Sequence, residues 1–215
     1  GVQIGGCKQA EECHMKWPGI VALVALAPIV YSWAYPSVTV RYRLTLDAEV
    51  DGGPKTGSGV IEVTYSKQTR FAGQPPLIIG VRGEAVVLDL GSRGAIFALL
   101  KAGNDSRSGP ETIVFRAFNF PNGVIPDPGD DGLIKLQQLS GKREIALSSL
   151  PMLVRFRDIN DQMSVEKVDP LDVGTRFGPG VRLTRAILEI VPAGIWPLNQ
   201  YCITGEPVTR NIESR

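Results

Sequence analysis

Residues 37–66 read SVTVRYRLTLDAEVDGGPKTGSGVIEVTYS. Val38, Val40, Tyr42, Leu44 and Leu46 alternate with Thr39, Arg41, Arg43, Thr45 and Asp47. A period of two sends the first set to a core face and the second toward solvent. Asp51-Gly52-Gly53-Pro54 breaks the pattern, and Val60–Tyr65 resumes it with Ile61, Val63 and Tyr65 on one face. The two runs predict a long β-hairpin over about 37–66, with a loop near residues 51–58. From this hairpin the chain reads as a β-rich α+β protein: antiparallel sheets, a few short helices and, ahead of them, an N-terminal apolar helix.

Downstream, strand patterns recur at 77–81, 84–90, 95–100 and 112–118, separated by polar or glycine-rich stretches at 67–76, 91–94 and 104–110. Residues 121–132, PNGVIPDPGDDG, are rich in turn formers and read as irregular. Asp131 is placed to cap a short helix from Leu133 to Leu139, ended by Ser140-Gly141. Leu150–Phe156 reads as a strand whose early proline puts it near an edge. Asp169-Pro170 resembles a helix N-cap followed by proline. Val181–Val191 reads as a strand, 192–205 as irregular, and 208–214 as a last short strand or a tail. With 24 glycines and 16 prolines the chain suits turn-rich β structure better than a helical bundle.

Upstream of the hairpin, Met15-Lys16-Trp17 opens an apolar run that reaches Tyr35. Residues 19–31 carry no charge, Lys16 gives a basic flank, and Ser32-Trp33-Ala34 is a small-x-small site, the layout of a signal peptide. Uncleaved, residues 17–35 are just long enough to span a bilayer, with Trp17, Tyr31, Trp33 and Tyr35 at the interfaces. The segment 15–35 is therefore expected to be a signal peptide or a transmembrane anchor. Lys16 favours an exported C-terminal domain, while Arg41 and Arg43 run against the positive-inside tendency. Residues 1–14 lack this character. Ala10-Glu11-Glu12 can be written with codons containing a bacterial ribosome-binding sequence just before Met15, so 1–14 read as a non-native upstream extension; His14-Met15 also fits a cloning scar. Cys7, Cys13 and His14 match no standard zinc spacing. Residues 36–215 then form a single exported β-rich domain, long enough for a real core.

Several stretches carry a resemblance: RYRLTLDAEVDGGPKTGSGVIEV at 41–63, GVRGEAVVLDLGSRGAIFALL at 80–100, LPMLVRFRDIND at 150–161, VEKVDP at 165–170, FGPGVRLTRAILEI at 177–190 and GEPVTRNIES at 205–214. Together they resemble a family of uncharacterised proteobacterial proteins with an N-terminal signal or membrane-anchor segment. The resemblance implies a bacterial source and an envelope location: the periplasm, or the inner membrane with the C-terminal domain outside the cytoplasm. It brings no activity and no catalytic residues. It also marks residues 192–204, with Trp196 and Cys202, as an insertion in this chain.

Charge is balanced, Lys+Arg 23 against Asp+Glu 22, which gives no electrostatic case for nucleic acid. The single histidine is His14, so residues 36–215 hold none for a Ser-His-Asp or Cys-His arrangement. Cys202 stands alone there and reads as an incidental thiol. Gly57-Ser58-Gly59 is too short for a phosphate loop, and no cofactor is expected. The densest cluster of oxygen ligands is Asp158, Asn160, Asp161 and Asp169, with Glu166 and Asp172 nearby. They are weak metal-ligand candidates, since the EF-hand pattern fails at its turn glycine and at its last position; turns and caps explain them more simply, as they do Asp130 and Asp131. Arg41 and Arg43, with Arg82 and Arg116, are weak candidates for a cationic face that binds an anionic envelope component. The function that fits is a non-catalytic binding or structural module of the envelope, its partner another envelope protein or an anionic component. The alternative is a metal-assisted hydrolase using 158–172.

Overall fold

β1 (Ser37–Val50) and β2 (Gly53–Lys67) are joined by Asp51 and Gly52 alone. Both have positive φ, 51° and 82°, as a two-residue hairpin turn requires if the strands are to keep their right-handed twist. The expected 51–58 loop is thus two residues long, because Asp-Gly completes the turn and residues 53–58 run on as strand. The computed structural model describes residues 36–68, 77–104, 108–120, 123, 132–195, 198–201 and 203–210, with only the backbone at 162 and 200. The apolar run at 15–35, Cys7, Cys13, His14, Asp130, Asp131, Trp196 and Cys202 lie outside them.

The hairpin sits inside a five-stranded antiparallel sheet. Its other members are β3 (Leu77–Arg82), β6 (Lys142–Ile145) and β9 (Val181–Val191), in the order β3-β2-β1-β9-β6. A second antiparallel sheet has the order β4-β5-β7-β8, from β4 (Val86–Asp89), β5 (Ala95–Ala98), β7 (Leu153–Phe156) and β8 (Val165–Val168). Three short α-helices, α1 (Ile113–Ala117), α2 (Gly132–Gln137) and α3 (Gly174–Phe177), and a few single-turn 3-10 helices lie among the described residues. None is long and apolar enough to cross a membrane.

The alternation in β1 holds for its core face: Val38, Val40, Tyr42, Leu44, Leu46 and Ala48 are all buried. Its partner β9 keeps step only through an irregularity. Arg41 to Asp47 face Val191 to Arg185, but Ala48 faces Leu183. The extra residue leaves Thr184 and Arg185 both exposed and returns Leu183 and Val181 to the core. The first half of β2 runs against β4. A Cβ on Gly57 would lie 2.2 Å from the Val87 carbonyl oxygen, so this approach needs a glycine.

Three expectations are corrected here. Residues 112–118 are not a strand but hold α1, in which Ile113, Val114, Phe115 and Ala117 are all buried. A short apolar run buried all round has no periodicity to separate strand from helix; the Gly109 carbonyl, accepting from the Thr112 and Ile113 amides, winds it. β7 lies inside its sheet, between β5 and β8, since Pro151 precedes the strand and removes no ladder donor. Asp169 caps no helix; its Oδ1 accepts from the Leu171 amide at 2.9 Å in a turn, and α3 begins later. Of the two readings of 208–214, strand or tail, the described residues 208–210 follow the tail, and it docks: Val60 N donates to Thr209 Oγ1 at 2.8 Å, Thr209 N donates to the Val60 carbonyl at 3.0 Å, and Val208 is buried. β6 and β8 had no sequence signal strong enough to read.

Two tyrosines tie the sheet to the segment before α1. Tyr42 OH donates to the Pro110 carbonyl at 2.9 Å, and Tyr65 OH donates to the Glu111 carbonyl at 2.7 Å. Tyr65 also packs on Phe115, their ring centroids 5.5 Å apart. Burial, then the neighbouring Tyr65 and Glu111, pushes the Tyr42 hydroxyl well above the ordinary tyrosine range, and burial and Glu111 do the same to Tyr65. Because both stay protonated in the fold, their contribution is complete below a pH of about 10 and is lost as pH climbs beyond it. Tyr42→Phe is expected to cost about 1 kcal/mol near neutrality, leaving the Pro110 carbonyl without its donor. It should also flatten the alkaline fall in stability, followed by urea unfolding at stepped pH.

Candidate functional site

The outer face of the five-stranded sheet carries charged residues on every strand. Arg41 on β1 donates Nε to Glu62 Oε2 on β2 at 2.6 Å, and Arg82 on β3 donates to Glu62 Oε1 at 3.0 Å. Arg43 on β1 contacts Glu189 on β9 at 3.3 Å, and Lys142 on β6 reaches the same carboxylate at 3.2 Å. Cations and anions therefore alternate across the sheet, each beside an opposite charge on an adjacent strand. Arg41 corrects the expectation of a solvent-facing cation. Its strand parity does point it outward, but it is 1% exposed, and Glu62 is 3% exposed.

What covers Arg41 is the chain after β9. Arg41 Nη1 donates to the Glu206 carbonyl and Nη2 to the Asn199 carbonyl at 3.3 Å, while Arg43 Nη2 donates to Glu206 Oε1 at 2.6 Å. Glu206 N donates to the Pro192 carbonyl at 2.8 Å, which joins the two ends of the 192–206 segment as the neck of a loop whose described residues are 192–195, 198–201 and 203–206. Gly194 and Gly205 make the neck possible. Both have positive φ, and a Cβ on Gly205 would lie 2.5 Å from the Gly194 nitrogen. Within the loop, Asn199 N donates to the Ile195 carbonyl, Ile203 N to the Leu198 carbonyl and Ile195 N to Thr204 Oγ1. This self-bonded loop displays Ile195, Leu198, Tyr201 and Ile203, exposed by 70, 42, 76 and 66%. Beside its neck, a cleft of about 310 Å³ lies between Arg41, Pro192 and the end of α2.

The acidic segment does not converge. Asp158 Oδ1 accepts from the Asn160 amide, Asp161 Oδ1 from the Met163 amide and Asp169 Oδ1 from the Leu171 amide, each at 2.9 Å. Asp158 and Asp161 precede β8 and Asp169 follows it, so roughly 13 Å of strand separates them. Among the described residues no group of three His, Cys, Asp or Glu is placed to hold a metal ion. Asp169 does line a cleft of about 330 Å³ with Asp172, Thr175 and Asn104, but Lys167 and Arg176 line it too. Among the described residues, Asp158, Asp161 and Asp169 thus form no shared ligand set.

Glu166 on β8 is the hub of this region, held by Arg155 at 2.8 Å, Arg157 at 3.2 Å and Arg176 at 3.8 Å. Chiefly the Arg155 hydrogen bond, aided by these charges and opposed by partial desolvation, holds its carboxyl below the usual glutamate range. A lowered folded-state value means that the stabilisation is complete above the unfolded value, about 4.3, and is lost as pH falls below it. Glu166→Gln is expected to be less stable than the parent at neutral pH, with the gap closing on acidification, as followed by thermal unfolding at stepped pH.

Sequence reasoning named Arg41 and Arg43 but not the burial of Arg41, and it left the loop as irregular chain. A signal for the loop was present, since residues 192–205 carry no charged side chain while including Ile195, Trp196, Leu198, Tyr201 and Ile203. Fold and site together define a β-rich domain of two antiparallel sheets, with a charge-braced outer face seating an apolar loop. No family model, no curated protein and no solved structure matches the chain.

Proposed function

We propose that this chain is an exported or membrane-anchored protein of the bacterial envelope, and that its β-rich domain is a non-catalytic binding or structural module presenting the 192–206 loop to another envelope component. The observation that carries the reading is the division of labour on the outer face. Arg41 and Arg43 hold the loop down, and the loop turns four large apolar side chains outward. A rigidly seated apolar display suits recognition, because little ordering entropy remains to be lost on contact. The cationic face for an anionic partner is not retained, since Arg41 is buried and Arg43 is paired. Export rests on the 15–35 run.

Two measurements test the proposal. Alkaline phosphatase fused after Arg215 is expected to be active; a β-galactosidase fusion active in its place overturns the location. A photo-crosslinking residue at Tyr201 or Ile203 is expected to form discrete adducts with an envelope component, whereas one at Met163, also exposed, is not. Absence of loop adducts overturns the module reading.

A further inference from the structure

We infer that the cleft beside β8 and α3 is a binding site for an anionic sugar, a hexose-sized ring carrying one carboxylate or phosphate group. The inference goes beyond the proposed function and makes no use of the 192–206 loop. The cleft holds about 330 Å³ and is lined by Asn104, Lys167, Asp169, Asp172, Thr175 and Arg176. That volume lies at the low end for small-molecule sites, most of which are lined by apolar and aromatic side chains. Here every one of these described side chains is polar or charged. Such a lining suits a small ligand rich in hydroxyls and bearing charge.

The two cations in the wall keep donors available. Lys167 is exposed on β8, and among the described residues it pairs with no carboxylate. Arg176 reaches Glu166 only at 3.8 Å, where Arg155 at 2.8 Å and Arg157 at 3.2 Å already hold that carboxylate. Arg155 is fully engaged: Nε and Nη2 go to Glu166, Nη1 donates to the Arg176 carbonyl, and the guanidinium lies over the Phe177 ring. It thereby ties α3 to β7 and fixes the backbone that carries Arg176. The carboxylates are more occupied. Asp172 Oδ1 accepts from the Thr175 amide at 3.2 Å and Oδ2 from the Thr175 hydroxyl. Asp169 Oδ1 accepts from the Leu171 amide, and among the described residues Oδ2 has no donor. Across the cleft and its rim, Arg155, Arg157, Lys167 and Arg176 outnumber Glu166, Asp169 and Asp172 by one. An ammonium and a guanidinium thus offer charge-assisted bonds to one anionic group, while Asp169 Oδ2 and the Asn104 amide suit hydroxyls.

The test is calorimetric titration of the full chain with galacturonate, glucose phosphate, glucose and inorganic phosphate. Galacturonate and glucose phosphate are each expected to bind at least about tenfold more tightly than glucose or inorganic phosphate, the scale of one charge-assisted bond. Lys167→Ala and Arg176→Ala should each weaken both sugars by about tenfold. Lys167→Ala removes an exposed, unpaired side chain, so its urea midpoint should match the parent. Asp169→Asn keeps an acceptor for the Leu171 amide and should narrow the gap between glucose phosphate and inorganic phosphate. Arg182→Ala, at another exposed arginine, on β9, should change nothing. Galacturonate binding also as the end residue of trigalacturonate marks a glycan end, and binding only when free marks a soluble ligand; either supports the site. No binding of the two anionic sugars overturns the inference. Inorganic phosphate bound as tightly as glucose phosphate means a bare oxyanion site and overturns it too, as does binding untouched by both Lys167→Ala and Arg176→Ala.

Discussion

Arg41→Met is expected to destabilise the domain by about 3–5 kcal/mol, the scale for removing one partner of a buried ion pair. Glu62 stays buried at 3% exposure and, among the described residues, keeps the ion pair with Arg82, whose side chain is 37% exposed. The Glu206 and Asn199 carbonyls lose their donors at the same time. The loop should loosen before the sheet does. Hydrogen exchange at the Glu206 amide, bonded to Pro192, is expected to accelerate under conditions where the Leu44 amide in the β1 core stays protected. Arg43→Met is the comparison: its ion pairs are partly exposed and should be worth under about 1 kcal/mol. Replacing both buried partners, Arg41→Met with Glu62→Leu, should recover much of the loss in urea unfolding, because no buried charge is then left uncompensated. Equal costs for Arg41→Met and Arg43→Met would show that the buried pair is not what seats the loop.

Gly57→Ala is the second large effect, expected at about 3 kcal/mol or more. The added Cβ would meet the Val87 carbonyl oxygen at 2.2 Å and the Leu88 Cα at 2.7 Å. These are backbone atoms and cannot swing aside as a side chain would, so β2 and β4 must part. Gly59 faces a softer neighbour, since its Cβ would touch a Val86 methyl at 2.9 Å. Gly80 on β3 has nothing within 4 Å, so Gly80→Ala should stay within about 0.5 kcal/mol. Thermal unfolding of the three variants should rank them Gly57, Gly59, Gly80 from most to least damaging. A mild Gly57→Ala would mean that β4 is not held against β2 as described.

The hairpin was legible because its signal is local and repeated. The alternation from Val38 to Leu46 and from Ile61 to Tyr65 requires one face to be buried, and Asp51-Gly52 is a turn by its own backbone preferences. β9 was legible for the same reason, though the irregularity opposite Asp47 was not, since its cause is the register with β1. α1 was misread because Ile113, Val114 and Phe115 favour strands in general, while the Gly109 carbonyl and the Tyr65 ring favour a helix here. The acidic segment was read correctly as turn-forming at Asp158 and Asp161, since an Asx side chain satisfies its own neighbours without help from afar.

The sequence alone determined a β-rich chain beginning with a hairpin and the inward face of that hairpin. Side-chain parity and turn chemistry act over a few residues and need no tertiary partner. Only the tertiary structure decided what Arg41 does. Parity places it outward and implies solvent, but whether an outward face stays wet depends on chain far away in sequence. Here the 192–206 loop returns over β1, buries Arg41 against Glu62, and turns Ile195, Leu198, Tyr201 and Ile203 to the surface instead. A long-range contact thus made the charged residue structural and the apolar ones available, and the periodicity of β1 holds no information about that contact.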